Sequence, residues 1–349
     1  MLSLALGLLL AAPPVEVGLE RIEAERGGAL RGKRVGLVAH GASLTRDGRH
    51  AIDVLRGAGV QVVRVFAPEH GLRGQAGAGE KVADGSDPRT GLPVVSLYGR
   101  KQAPSVEDLR GLDALVFDLQ DAGVRFYTYG STLLLCLEAA GEAGLELVVL
   151  DRPNPLGGER VEGPVAERTS FLSRLPGPLV HGLTLGELAR LANARRERPA
   201  RLSVVAMRGW RRAMSWDDTG LAWPTPSPNL RSAEAALVYP GVCLLEGTNV
   251  SEGRGSEAPF LLFGAPWLEP SKVTLDVKGV AFEPARFTPR AGPAAAEPKH
   301  RDAACAGFRL RVTDPRALSP YGLGLRLLAA LQRQPGFAWL DEGRALTRL

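Results

Sequence analysis

Between residues 34 and 207 the sequence repeats one pattern, a short β-branched apolar run followed by a longer amphipathic stretch. Residues 34–40 (RVGLVAH), 60–67 (VQVVRVFA), 94–97, 114–119 (ALVFDL), 145–150 (LELVVL) and 201–207 read as strands. Residues 49–58, 131–143 and 184–196 read as helices; Ser105 with Asp108, and Thr184 with Glu187, have the spacing of capping boxes. Apolar strands with almost no polar alternation must be covered on both faces, and helices between them supply that cover. The expected fold is α/β: a Rossmann-like parallel sheet with helices on both faces. This concerns layers and implies no nucleotide.

Beyond Trp210 the pattern breaks. Pro, Gly and Trp become frequent in WPTPSPN, YPGVCLLEGTNVSEGRG and FGAPW. An extended stretch at 273–289, a Pro/Ala-rich loop at 291–298, a strand at 308–312 and a helix at 320–332 follow. The predicted organisation is a segment at 1–14, a Rossmann-like domain at 15–210, and a smaller α+β domain at 211–349 that completes a cleft. Residues 2–12 (LSLALGLLLAA) have the length of a signal-peptide core ending in small residues, although no basic residue precedes them. They lead us to expect export to the periplasm or the exterior; a cropped or misassigned start and a short buried helix are the alternatives.

Composition narrows the function classes. Hydrophobic residues make up 45% and charged residues 23% of the 349, the balance of a globular chain. No apolar run reaches the roughly 20 residues of a membrane-spanning helix. The net charge is +5, but only six of the 43 basic residues are lysine and acids interleave with the arginines, so no nucleic-acid partner is expected. Cys136, Cys243 and Cys305 form no CxxC and read as small buried hydrophobes. GxxxxGK[ST], GxSxG and HExxH are absent, no GxGxxG follows the first strand, and the five histidines lie far apart, so neither metal nor organic cofactor is expected.

Carboxylate chemistry remains. Ligands of doubly wound sheets bind beyond the carboxyl ends of the strands. There this chain places Glu69 and His70, then Gln120, Asp121 and Arg125, then Asp151, Arg152 and Asn154. A strand-end glutamate with apolar neighbours is partly desolvated, which favours an acid role for Glu69, though a loop-tying acid has the same spacing. Asp118 and Asp121 flank the end of ALVFDL; Asp118 either faces the rim or forms a structural pair with an arginine such as Arg125. Phe126, Tyr127 and Tyr129 offer sugar-stacking faces or core packing. The loop holding Glu246, Asn249, Glu252 and Arg254 is punctuated by glycines that permit close backbone approach. Trp223, Pro224, Ser227, Pro228 and Asn229 form either a rigid cleft wall or a stiff linker.

With these segments in view the sequence resembles a family long labelled a domain of unknown function and now associated with exo-acting β-N-acetylmuramidases, the NamZ or YbbC-like glycoside hydrolases. The resemblance is carried by PEHGLRGQAGAGEKV (68–82), TGLPVVSLYG (90–99), FDLQDAGVRFYTY (117–129) and DRPNPLGGERVEGP (151–164). HGLTLGELA (181–189), PSPNL (226–230), YPGVCLLEGTNVSEGRGS (239–256) and PFLLFGAPW (259–267) continue it. It implies a cleft between a Rossmann-like and a smaller domain, and release of N-acetylmuramic acid from the non-reducing end of peptidoglycan fragments. It implies Glu69 as the catalytic glutamate, with Asp118, Gln120, Asp121, Arg125, Tyr127 and Tyr129, and then Glu246, Asn249, Glu252 and Arg254, as cleft residues. Two departures stand out: the first strand ends in Ala39-His40-Gly41-Ala42-Ser43 instead of a Thr-Asn-type loop, and the chain stops at Leu349.

Such a reaction has an oxocarbenium-like transition state and usually two carboxyl groups. Glu69 is the expected proton donor. Asp121 is a nucleophile or base, unless the sugar's own acetamido oxygen attacks with an aspartate orienting it. The lactyl carboxylate of the substrate calls for an arginine, with Arg73, Arg125 and Arg254 as candidates. The alternative from another class is a non-catalytic exported sugar- or muropeptide-binding protein using the same cleft.

Overall fold

A computed structural model of the chain describes residues 14–166, 170–175 and 177–341. The run at 2–12 lies outside the described residues. The large sheet contains strands β1 (Arg34–Ala39), β2 (Gln61–Ala67), β3 (Gly85–Ser86), β4 (Pro93–Ser96), β5 (Ala114–Asp118), β6 (Glu146–Leu150) and, after a small two-stranded hairpin of β7 (Glu162–Val165) and β8 (Pro178–Val180), β9 (Arg201–Val205). Its order is β3-β4-β2-β1-β5-β6-β9, and every neighbouring pair is parallel except β3 with β4.

The two-residue period of a strand sorts this sheet's side chains onto two faces. Along β5, Ala114 and Val116 join a core with Leu19 and Ile22 of helix α1 (Gly18–Ala24) and Ile52 and Leu55 of α2 (Ala51–Gly57). After a one-turn helix, α3 (Val106–Leu109), come α4 (Thr128–Glu142) and α5 (Leu185–Ala194). Leu115 and Phe117 pack the opposite way, with Leu133, Cys136 and Leu137 of α4 and Leu185 and Leu188 of α5. Each leucine buried in this way contributes roughly 1.5–3 kcal/mol. Helices therefore cover both faces, as the continuous apolar strands require.

The smaller domain is a three-stranded antiparallel sheet of β10 (Leu262–Ala265), β11 (Val280–Phe287) and β12 (Cys305–Val312), with α6 (Ala233–Val242) and α7 (Pro320–Leu331). Its core is continuous with the α4 face of the first: Val242, Phe263 and Leu327 belong to the same apolar cluster as Leu133. Tyr239 of α6 sits edge-on to both Phe126 (5.2 Å) and Phe260 (4.7 Å) at the junction. Cys136, Cys243 and Cys305 are all buried free thiols. Among the described residues no helix is long and apolar enough to cross a membrane.

From β1 the chain builds β2 and β4 on one side, then returns to build β5, β6 and β9 on the other. The crevice between the carboxyl ends of β1 and β5 is thus the topological switch point, the favoured ligand position in such a sheet.

Candidate active site

Glu69 leaves β2 directly after Pro68, which cannot extend the ladder. His70 then takes a φ of 70°, a left-handed conformation that histidine enters more readily than most side chains, and its Nδ1 lies 2.8 Å from the carbonyl of Ala76. This tight loop brings the glycine-rich segment back over the glutamate. The Gly79 amide donates to Glu69 Oε1 at 2.8 Å, and Thr128 Oγ1 stands 2.7 Å from Oε2. Thr128 is the first residue of α4, so the half-buried carboxyl sits at the positive end of a fifteen-residue helix. The Tyr98 phenol lies against the same group; burial first, then the Glu69 charge, pushes its pKa up, so it stays protonated.

The switch-point crevice supplies the second carboxyl. Asp121 Oδ2 accepts the Gly123 amide at 2.8 Å, while Oδ1 is buried with no hydrogen-bond partner. A side chain at Gly123 would strike Asn154 Oδ1, and the backbone there has a φ of 79°, so only glycine gives Asp121 this amide. His181 Nδ1 accepts the Leu183 amide, which puts its proton on Nε2, 3.6 Å from Asp121 Oδ2. Burial raises the pKa of the Tyr127 phenol, and the carboxylates of Glu69 and Asp121 act in the same direction.

Several predicted contacts fall elsewhere. Asp118 is fully buried and is held bidentately by Arg152 at 2.6 and 2.8 Å, with Arg152 also donating to Leu44 O. The reason is parity: Asp118 follows Ala114 and Val116 onto the α1/α2 face of β5. Its arginine is Arg152, and Arg125 instead donates to the carbonyls of Pro164 and Gly177, bracing the β7–β8 hairpin. Tyr127 and Tyr129 are buried, with their hydroxyls 2.9 and 3.0 Å from Pro226 O; that of Tyr129 is also 3.3 Å from the Glu69 carbonyl. Both anchor the Pro226 carbonyl, and Tyr129 also braces the glutamate's backbone, instead of offering stacking faces. Gln120 donates to Asp121 O and Pro153 O, and Asn154 spans Leu156 N and Leu183 O, so both tie the rim together. Arg73 makes a close ion pair with buried Asp87 at 2.6 Å, and this guanidinium holds the Asp87 carboxyl near a pKa of about 2 against the cost of its burial.

In the second domain Glu246 and Glu252 both pair with Arg254, at 2.5 and 3.2 Å, and Lys299 reaches Glu252 at 3.1 Å. The Arg254 guanidinium lies 5.0 Å from the centre of the Phe260 ring, a cation–π geometry, and its charge contributes to lowering the pKa of His70, chiefly an effect of burial. Asn249 is taken up by Gly336 O and Ala338 N. Asn229 donates to Ala294 O at 2.8 Å, leaving Oδ1 without a partner.

Sequence reasoning missed Thr128, because the helix was read as starting three residues later, and Gly79, whose contribution is an amide. His181 stood in a quoted motif without a role. His40, the departure at the end of β1, packs its ring 6.3 Å from His70 and 5.7 Å from Tyr129, and burial, reinforced by the neighbouring imidazoles, pushes its pKa down to about 3. Among the described residues no three His, Cys, Asp or Glu side chains converge on a metal position. A cavity of about 1260 Å³ is lined by Trp216, Trp223, Arg231 and Glu234 among others; neither Glu69 nor Asp121 is among its walls.

Residues 35–234 match the family model described as exo-β-N-acetylmuramidase NamZ, N-terminal, and residues 237–349 match its C-terminal counterpart. The peptidoglycan β-N-acetylmuramidase NamZ of Bacillus subtilis (strain 168) is 41% identical over 327 residues, 91% of this chain and 78% of the relative. A crystal structure of a DUF1343 family protein from Bacteroides fragilis superposes with a TM-score of 0.84 at 33% identity, covering 96% of this chain and 88% of that one. A second from the same organism gives 0.78 at 30% identity, with 97% and 89% covered.

Proposed function

The chain belongs to the exo-β-N-acetylmuramidase NamZ family, and from that premise we propose that it is a glycoside hydrolase that releases N-acetylmuramic acid from the non-reducing end of peptidoglycan fragments, with Glu69 as general acid. The observation that carries the role of Glu69 is its cradle. A backbone amide fixes one carboxyl oxygen, and the other meets a hydroxyl, which can donate to a carboxylate or accept from a carboxylic acid. Both protonation states of a proton donor are therefore accommodated without moving the side chain. Protonating the leaving oxygen lets the glycosidic bond break through an oxocarbenium-like transition state. Asp121, held at the exit of β5 by the Gly123 amide, supports that charge as nucleophile or base, or orients the acetamido oxygen of the sugar.

Arg254 is the candidate for the lactyl carboxylate: although it pairs with Glu246 and Glu252, it keeps 19% of its side-chain surface, whereas Arg125 is buried and donates to two carbonyls. Arg254→Met should reduce the preference for muramic over glucosamine substrates; an unchanged preference removes it from recognition. Cell-wall turnover and an exported location belong to the same reading, because the wall lies outside the membrane, and cell fractionation tests them. The deciding experiment is release of chromophore from a chromogenic β-N-acetylmuramide by the wild type and by Glu69→Gln. The variant should lose at least about 100-fold in turnover, the size of a missing general acid. Undiminished turnover would assign the proton to another group.

A further inference from the structure

An exo-acting cleft must be blocked beyond the terminal sugar, or the chain would thread through and be cut internally. The 291–298 loop is placed to do this. Its base is stapled to the second domain: Arg290 N donates to Gly255 O at 2.9 Å, and Pro298 fills the space where a Gly255 side chain would stand. Its tip is closed by reciprocal bonds between Gly292 and Ala295, both 3.0 Å. From that tip Ala294 O accepts from Asn229, and Pro293 O lies so near Gly77 that a Cβ there would approach it to 3.1 Å. Gly77 is buried beneath the contact, and two residues on, Gly79 holds Glu69. Two loops from opposite domains thus meet backbone to backbone beside the proton donor. Tyr98 also lies against Glu69, and its ring stands 6.0 Å from that of Phe171, both half-buried.

We propose that this strap, made where the 291–298 loop meets Gly77 and Asn229, closes the glycone side of the cleft and restricts the enzyme to the terminal residue, the remainder of the glycan leaving past Tyr98 and Phe171. The inference rests on the muramidase reading above. A barrier built from backbone does not swing aside as a long side chain would, so its effect is all-or-none with respect to a capping sugar. The test uses two substrates: the chromogenic β-N-acetylmuramide, and a glycan oligomer whose terminal muramic residue is capped at its 4-hydroxyl by N-acetylglucosamine. Two variants open the strap, a deletion of residues 293–296 and Gly77→Val, the second a single replacement that remains should the deletion not fold. Folded variants, judged by thermal melting, should cut the capped oligomer internally at least about tenfold faster than wild type and yield oligosaccharides. The idea is overturned if folded variants leave the capped oligomer at the wild-type rate, whether they keep or lose turnover of the chromogenic substrate. A wild type inactive on the chromogenic substrate would instead overturn the muramidase reading.

Discussion

At the rim of the large sheet Glu69 and Asp121 are held by uncharged donors, the amides of Gly79 and Gly123 and the hydroxyl of Thr128. In the second domain Glu246 and Glu252 are held by cations, Arg254 and Lys299. The difference is functional in kind. A cation at contact distance supplies a countercharge that the carboxylate cannot lose without breaking an ion pair, whereas neutral donors orient the carboxyl without one. Asp118, only three residues from Asp121, falls on the cationic side of this division because Arg152 grips it.

The largest expected effect tests that division at Asp118. Arg152→Met leaves a fully buried carboxylate without its partner and should cost about 3–5 kcal/mol of stability, read from urea denaturation. A loss below about 1 kcal/mol would show that the pair is dispensable and reopen a chemical role for Asp118. Next comes Glu69→Gln. Its loss of at least about 100-fold in turnover, roughly 2.7 kcal/mol of barrier, should leave the melting temperature nearly unchanged, because no ion pair is broken. A large fall in melting temperature would class Glu69 with the structural acids.

The third effect concerns the imidazoles behind the rim. His40 is held near a pKa of about 3 against an ordinary 6.5, so its stabilising contribution is present above pH 6.5 and is lost as pH falls towards 3. The slope should be about 1.4 kcal/mol per pH unit, with His50 and His70 acting in the same direction. Urea midpoints measured from pH 7 to pH 4 check it, and His40→Gln should flatten the curve; an equal slope in the variant would place the acid sensitivity elsewhere. The smallest effect is that of Glu246→Gln. With 39% of its side chain exposed, its pair with Arg254 should be worth no more than about 1 kcal/mol to stability.

Much of the architecture was legible because it follows from periodicity. The parallel layers followed from the apolar strands, and the capping boxes at Ser105 and Thr184 are present as spaced. The site was legible at the level of strand ends and less so at the level of contacts. Parity along β5 would have turned Asp118 away from the rim, but its partner Arg152 lies on the next strand's exit loop. For Tyr127 and Tyr129 the choice between stacking faces and core packing stayed open because their acceptor, Pro226 O, is almost a hundred residues distant in sequence. Gly79 contributes through an amide that every residue but proline possesses, so no side-chain motif announces it.

That all three thiols are buried and unpaired has a consequence for biogenesis. With no crosslink to form and no sulfur at the surface to be captured, the fold asks nothing of an oxidase or isomerase. A reducing host cytosol should therefore yield the same molecule as an oxidising compartment.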